Sequence, residues 1–117
     1  MPYFINHIKD AIEIECQGKF DYKESISFKD MIHKTCAQDI KLLVLNLSDC
    51  DFIDSAGLGL LMMAREMTMA KDIYLKITGA HHQVLRMLEV AQFGEIIDFE
   101  HCTREGMIDL LEQISNG

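Results

Sequence analysis

The most informative segment of this chain is residues 42–61, which read LLVLNLSDCDFIDSAGLGLL. Its first part, residues 42–47, is almost entirely apolar and predicts a central strand buried on both faces. An acidic turn, Asp49-Cys50-Asp51, follows, and Ser55 stands directly before an apolar, helix-like segment. A hydroxyl at a junction between a buried strand and a helix lies beside free backbone N–H groups. We therefore interpret Ser55 as a candidate site for a phosphate or a reacting oxygen.

The segments on either side of this stretch carry the periodicities of further strands. Ile12, Ile14 and Cys16 alternate with two glutamates, which is the period of a half-buried strand. A preceding apolar segment predicts a partner strand, joined to the first as a hairpin through Lys9-Asp10. The predicted strands are residues 4–8, 12–16, 42–47, 73–77 and 96–99.

Four segments predict helices. In three of them apolar residues recur on one helical face: Phe28, Met31, Ile32, Thr35 and Cys36; Val84, Leu85 and Leu88; and Met107, Leu110, Leu111 and Ile114. In the second helix in chain order, residues 58–70, apolar positions cover most of the circumference, so we expect it to be deeply packed or covered by a partner. The third helix should end near Gly94, and Thr103 is the predicted N-cap of the fourth. The pattern predicts an α/β sandwich with a mixed β-sheet of about four to five strands covered by about four helices. With no linker or repeat, residues 1–117 are expected to form a single domain.

Composition and charge narrow the range of partners. Eleven basic and nineteen acidic residues give a formal net charge of −8, which argues against nucleic acid and anionic membranes. The longest apolar or glycine run, residues 56–64, is far shorter than the roughly 20 residues of a membrane span, so we expect no direct membrane insertion. No signal peptide is visible at the N-terminus, and Cys16 and Cys36 fall at core positions. We expect a cytoplasmic protein.

Ser55 is first considered as a catalytic nucleophile. A nucleophile elbow needs Gly-x-Ser-x-Gly, and Ile53 replaces its first glycine while Gly57 matches the second. A catalytic triad also needs a histidine base, and the histidines at 81, 82 and 101 lie in no recognisable context. Serine hydrolysis therefore stays a minor alternative.

The acidic turn offers a second chemistry, an aspartyl phosphate with magnesium. Asp49 and Asp51 follow a buried strand, but the chain lacks the acidic pair that a phosphoaspartate receiver domain needs at the end of its first strand. His81 and His82 are adjacent, so on a helix they point about 100° apart and cannot share a metal as an i, i+4 pair could. We expect solvated turn carboxylates, no metal site and no cofactor.

The third interpretation makes Ser55 a phosphate acceptor. Phosphorylation adds about −1.5 to −2 charges, which a helix N-terminus tolerates and the neighbouring aspartates oppose. Little change in the fold follows, but the surface seen by a partner changes strongly. Four methionines crowd the following helix, and some of them should be exposed near Ser55: Met62, Met63, Met67 and Met69. Gly59 weakens that helix, and we expect it to allow close approach of the sheet or of a partner.

At these residues the chain resembles the single-domain STAS proteins, the bacterial anti-sigma factor antagonists. Residues 18–21, GKFD, are similar to the family's Gly-x-Leu-Asp segment. Residues 44–47 followed by 52–59, VLNL and FIDSAGLG, resemble its central signature. Residues 85–93, LRMLEVAQF, resemble its third helix.

The resemblance implies a partner switch in transcription regulation. The serine after the aspartate, here Ser55, is the residue that an anti-sigma factor with serine-kinase activity phosphorylates. The unphosphorylated antagonist binds that kinase, phosphorylation releases it, and a PP2C-type phosphatase resets the serine. The partner-binding residues implied are Asp21, Asp54, Ser55, Ala56, Gly57, Leu58, Gly59 and Met62. The chain would then be a binding module and not an enzyme.

Two departures from the family pattern qualify this resemblance. Ala56 stands where several members carry a second hydroxyl, so only one acceptor remains. Lys19 replaces a commonly acidic residue, which affects the choice of partner. Some STAS proteins instead serve as subunits of ABC-type lipid-transport complexes, and this is the main alternative.

Overall fold

The computed structural model describes residues 3–95, and it contains the predicted strands and helices of that range together with two further short strands. In chain order they are β1 (Tyr3–Ile8), β2 (Ala11–Cys16), β3 (Gly18–Phe20), α1 (Ser25–Cys36), β4 (Leu42–Asn46), β5 (Cys50–Ile53), α2 (Ser55–Ala70), β6 (Tyr74–Thr78) and α3 (His82–Val90). Two short 3-10 turns, Tyr22–Glu24 and Phe93–Glu95, complete the described part. The predicted strand at 96–99 and the fourth helix with its cap Thr103 lie outside the described residues, as do His101 and Cys102.

A four-stranded sheet in the order β1-β2-β4-β6 forms the centre of the fold. β1 and β2 pair antiparallel as the predicted hairpin, while β2, β4 and β6 pair parallel. β4 lies between two other strands, and its residues 42–45 are completely buried, as the apolar run predicts. The sheet is therefore mixed, and the α/β fold class is confirmed. Residues 3–95 contain three helices at the predicted places.

A second, two-stranded sheet was not predicted from the sequence. β3 and β5 pair parallel, with Phe20 opposite Ile53. The segment from Cys50 onward, expected to be an acidic turn, is therefore a short strand. Cys50 and Ile53 at its ends are fully buried, whereas Asp51 and Phe52 between them are exposed. This pattern does not alternate strictly, so it has no clear strand period.

The helices bury the faces that their periodicity indicates. All five predicted stripe residues of α1, from Phe28 to Cys36, are buried. α2 begins at Ser55, three residues before the predicted start at Leu58, and its inward stripe is Gly57, Leu60, Leu61, Ala64 and Thr68. Within residues 3–95, none of the helices combines the length and the apolar character that crossing a bilayer requires.

Gly57 sets how closely the start of α2 lies against the two-stranded sheet. A Cβ atom added at Gly57 would collide with the carbonyl oxygen of Phe20 and stand 2.7 Å from side-chain carbons of Phe20 and Ile53. A Cβ added at Gly59 meets nothing within 4 Å. The expectation that Gly59 lets the sheet approach is therefore wrong, because Gly59 is exposed and Gly57 makes the close contact.

The two glycines predict opposite effects on stability. Gly57→Ala should lower the free energy of unfolding by about 1–3 kcal/mol, because the packed backbone of Phe20 must move. Gly59→Ala is the matched control in the same helix, and it should raise that free energy by about 0.5–1 kcal/mol through helix propensity. Denaturant unfolding of both variants measures the difference. A gain in stability for Gly57→Ala would contradict the close contact.

Candidate functional site

The pairing of β3 with β5 brings two separate parts of the chain to one edge. The Asp54 N–H donates to the Phe20 carbonyl oxygen at 3.3 Å, which extends the pairing by one residue beyond Ile53. Because parallel strands end at the same edge, Asp21 and Asp54 both emerge there. The two aspartates are 33 positions apart in the sequence, so no local pattern indicates their proximity.

Asp54 is the N-cap of α2. Its backbone is extended, and its carboxylate accepts a hydrogen bond from the Gly57 N–H at 2.8 Å. The Asp54 carbonyl oxygen accepts the first helical hydrogen bond, from the Leu58 N–H at 3.0 Å. A carboxylate is stabilising at the positive end of a helix. Asp54 therefore explains why the helix starts at Ser55 and fixes the position of the serine.

Ser55 is the first residue of α2 and is exposed, so its hydroxyl is open to another protein. Leu58, Gly59 and Met62 follow at the spacings that place residues on one helical face. Gly59 is exposed, while Leu58 and Met62 are half-buried and pack against the core from outside. We call Ser55, Leu58, Gly59 and Met62 the α2 face. The two remaining α2 residues implied by the resemblance lie off this face: half-buried Ala56 is one position from Ser55, about 100° around the helix, and Gly57 is buried.

Asp21 is held in a structured turn. Its carboxylate caps the 3-10 turn Tyr22–Glu24 by accepting from the Lys23 N–H at 3.0 Å. The Tyr3 hydroxyl donates to Oε1 of the buried Glu24 at 2.9 Å, which ties this turn to β1. Burial, more than any neighbouring charge, raises the pKa of Tyr3. The phenol is thus a stable hydrogen-bond donor at neutral pH.

The methionines of α2 are not all on the side of Ser55. Met62, Met63 and Met67 are half-buried against the core, and Met69 is 58% exposed. Met69 stands at the other end of the helix, about 21 Å from Ser55 at 1.5 Å per residue. The expectation of exposed methionine near Ser55 therefore holds only for the accessible parts of Met62 and Met63.

Gln83 is a site residue that the sequence did not indicate. Its side-chain oxygen accepts from the Ile53 N–H at 3.0 Å, and its side-chain nitrogen donates to the Ile53 carbonyl oxygen at 2.8 Å. A glutamine at the start of a helix has no distinctive spacing or pattern, so no sequence signal could have identified it. The residue lies 30 positions after its partner.

Histidine and cysteine side chains can supply a base, a nucleophile or a metal ligand, and their surroundings in residues 3–95 bear on these roles. Nδ1 of His81 lies 3.0 Å from the Gly79 carbonyl oxygen, and no hydrogen bond joins a histidine to Ser55 within residues 3–95. In the same range, no three His, Cys, Asp or Glu side chains are grouped so that they could hold a metal ion. Burial raises the pKa of the Cys16, Cys36 and Cys50 thiols, which keeps them protonated and unreactive.

Solved structures from several bacteria share this fold. An anti-sigma factor antagonist from Mycobacterium paratuberculosis superposes with a TM-score of 0.82 at 15% identity, covering 95% of this chain and 93% of the other. The antagonist SpoIIAA of Bacillus, in its unphosphorylated form, gives 0.74 at 19% identity over 95% and 98%. A sulfate transporter family protein from Wolinella succinogenes gives 0.75 at 17% identity over 94% and 91%. At these identities the likeness shows the fold and not a shared partner.

The family model of the STAS domain matches residues 4–105, which is most of the chain. The match includes the β1–β2 hairpin, the turn at Asp21, the capped start of α2 at Ser55, and α3. Together with the fold, it confirms the resemblance drawn from residues 18–21 and 52–59. The chain belongs to the STAS-domain family.

Proposed function

We propose that this chain is an anti-sigma factor antagonist in a phosphorylation-controlled partner switch, with Ser55 as the phosphoacceptor. The observation that carries the proposal is the placement of Ser55: it is exposed at the first position of α2, between the capping Asp54 and the rest of the α2 face. The partners proposed are an anti-sigma factor with serine-kinase activity and a PP2C-type phosphatase, all in the cytoplasm. The chain acts as a substrate and binding module and not as an enzyme.

The start of α2 suits a serine that gains and loses a phosphate without unfolding its surroundings. The cap at Gly57 uses the Asp54 carboxylate, so the Ser55 hydroxyl is not needed to hold the helix. A phosphate at the helix N-terminus gains about 0.3–1 kcal/mol from the helix dipole. Repulsion from the Asp54 carboxylate opposes that gain. The two effects offset each other, so the fold tolerates both states.

The same modification acts strongly on a partner. The α2 face offers a small, partly apolar surface around Leu58, Gly59 and Met62, next to Ser55. A partner that covers this surface must remove water from whatever group is at Ser55. A neutral hydroxyl costs little, whereas a phosphate of about −1.5 to −2 charges is expensive to bury without a cationic partner. Phosphorylation should therefore release the partner. That one STAS protein of this fold, SpoIIAA, has both unphosphorylated and phosphorylated forms supports this switch.

The first test concerns the phosphoacceptor. Incubation with the cognate kinase and ATP should place phosphate on Ser55, and Ser55→Ala should remove all of it. Ser55→Ala should also bind the kinase persistently, while Ser55→Asp should bind about tenfold or more weakly because its carboxylate must be desolvated. Mass spectrometry and titration calorimetry measure these results. Ser27→Ala, at another exposed serine, is the control, and phosphate found on a residue other than Ser55 would sink the mechanism.

A second test separates the cap from the charge of Asp54. Asp54→Ala should cost about 1 kcal/mol of stability, because the Gly57 N–H loses its acceptor. Asp54→Asn retains a capping oxygen and should unfold close to the wild type. If Asp54 contacts the partner through its charge, Asp54→Asn should still weaken kinase binding. Equal binding by Asp54→Asn and wild type would remove Asp54 from the proposed interface.

The alternative is a STAS subunit of an ABC-type lipid-transport complex. The structural likeness to a sulfate transporter family protein supports this alternative, because that protein has the same fold. Affinity purification from the native cell distinguishes the two: a serine kinase or phosphatase should co-purify if the proposal is right. Recovery of an ABC ATPase with no kinase would favour the transport subunit. Labelling of Ser55 by a serine-reactive phosphonate would instead favour the hydrolase.

A further inference from the structure

β5 is bonded along both of its edges, but by different means. On one side its backbone pairs with β3. On the other side the primary amide of Gln83, from the start of α3, forms two hydrogen bonds with the backbone of Ile53, at 3.0 and 2.8 Å. An amide that donates to a carbonyl and accepts from an N–H of the same residue reproduces the pairing of a neighbouring strand. We call this pair of bonds the Gln83 clamp.

The clamp holds Ile53, the last residue of β5, from which the chain passes through Asp54 to Ser55 at the start of α2. Ile53 is fully buried, and the next two residues are the N-cap Asp54 and Ser55 itself. Asp54 is also fixed on its other side, by the bond from its N–H to Phe20. Only Asp54 thus separates the clamped residue from Ser55, which leaves little freedom between them.

Loss of the two clamp bonds should disturb the start of α2 more than the loss of a hydrogen bond at the surface would. Ile53 has no exposed area, so without Gln83 its N–H and carbonyl groups lose a partner in a buried environment. The backbone would move to recover these bonds, and the displacement would pass directly to Asp54 and Ser55. Gln83 itself is half-buried and lies on the side of the junction opposite to β3.

We propose that Gln83 is a positioning residue for Ser55: through its two bonds to Ile53 it holds the phosphoacceptor junction in the geometry that a kinase recognises. The expected effect on the phosphorylation of Ser55 rests on the proposed function, whereas the two hydrogen bonds of the clamp are a property of the fold. α3 thereby takes part in the switch without being part of the α2 face.

The first variant removes both bonds while keeping the length of the side chain. Gln83→Met should speed hydrogen exchange of the Ile53 amide by about tenfold, relative to global unfolding, because one hydrogen bond is lost. The same variant should lower kcat for phosphorylation of Ser55 by about tenfold with a smaller change in KM, because a misplaced hydroxyl slows the chemistry. A purely structural loss would reduce the folded fraction, raising KM and leaving kcat unchanged. Gln38→Met, at an exposed glutamine, is the control.

The second variant tests rescue. In Gln83→Glu the introduced carboxyl donates to the Ile53 carbonyl only when protonated; when ionised, it places an acceptor against an acceptor. Its pKa should therefore be raised in the folded state, so the clamp is present at low pH and is lost as pH rises through that pKa. The Ile53 amide shift should return towards its wild-type position as pH falls. Gln38→Glu should show no such change.

The outcomes separate this proposal from the proposed function. Unchanged Ile53 exchange in Gln83→Met, or unchanged kcat on Ser55, would overturn the positioning role and leave the partner switch intact. If the kinase does not phosphorylate wild-type Ser55, the partner switch fails instead. In that case exchange of the Gly57 amide, which is hydrogen-bonded to the Asp54 carboxylate at the start of α2, decides the role: acceleration in Gln83→Met upholds it, and no change overturns it.

Discussion

The close contact between the start of α2 and the β3–β5 pair is the constraint on which the rest of the site depends. Gly57 lies against the Phe20 carbonyl oxygen, with no room for a Cβ atom. That contact lets the Asp54 N–H reach the same carbonyl and join the two-stranded sheet. Ser55 is then left outside the core at the first position of the helix. Without this approach, the turn at Asp21 and the serine would belong to separate surfaces.

Polar groups at this junction are satisfied in a way that leaves the serine free. The Asp54 carboxylate takes the Gly57 N–H, and the Gln83 amide takes both backbone groups of Ile53. Buried backbone groups need such partners, since each unpaired one costs free energy comparable to a lost hydrogen bond. The hydroxyl of Ser55 does not satisfy any of these backbone groups. Phosphorylation of such a serine would therefore leave the hydrogen bonds of the surrounding fold in place.

Much of the fold could be predicted because its signals are periodic. The apolar run at 42–47, the alternation at 12–16 and the stripe from Phe28 to Cys36 each predicted an element that the structure confirms. β3 and β5 were missed because strands of three and four residues are too short to show a period. The close contact was expected at Gly59, whereas Gly57 makes it. Both glycines lie in the same motif, and only the atoms opposite each one show which of them has no room for a Cβ atom.

What could be learned without coordinates was the order of the longer elements, the family resemblance and the choice of Ser55 as the candidate site. Those depend on hydrophobic period and on residues adjacent in the chain, and both are local properties. The tertiary structure decided what stands beside the serine: the turn at Asp21, the carbonyl of Phe20 and the amide of Gln83. These contacts join residues about 30 positions apart, and they exist only because sheet pairing and helix packing close those loops. Long-range pairing of this kind leaves no periodic pattern in the sequence. The sequence therefore indicated the serine as a candidate, whereas only the structure showed the contacts that position it.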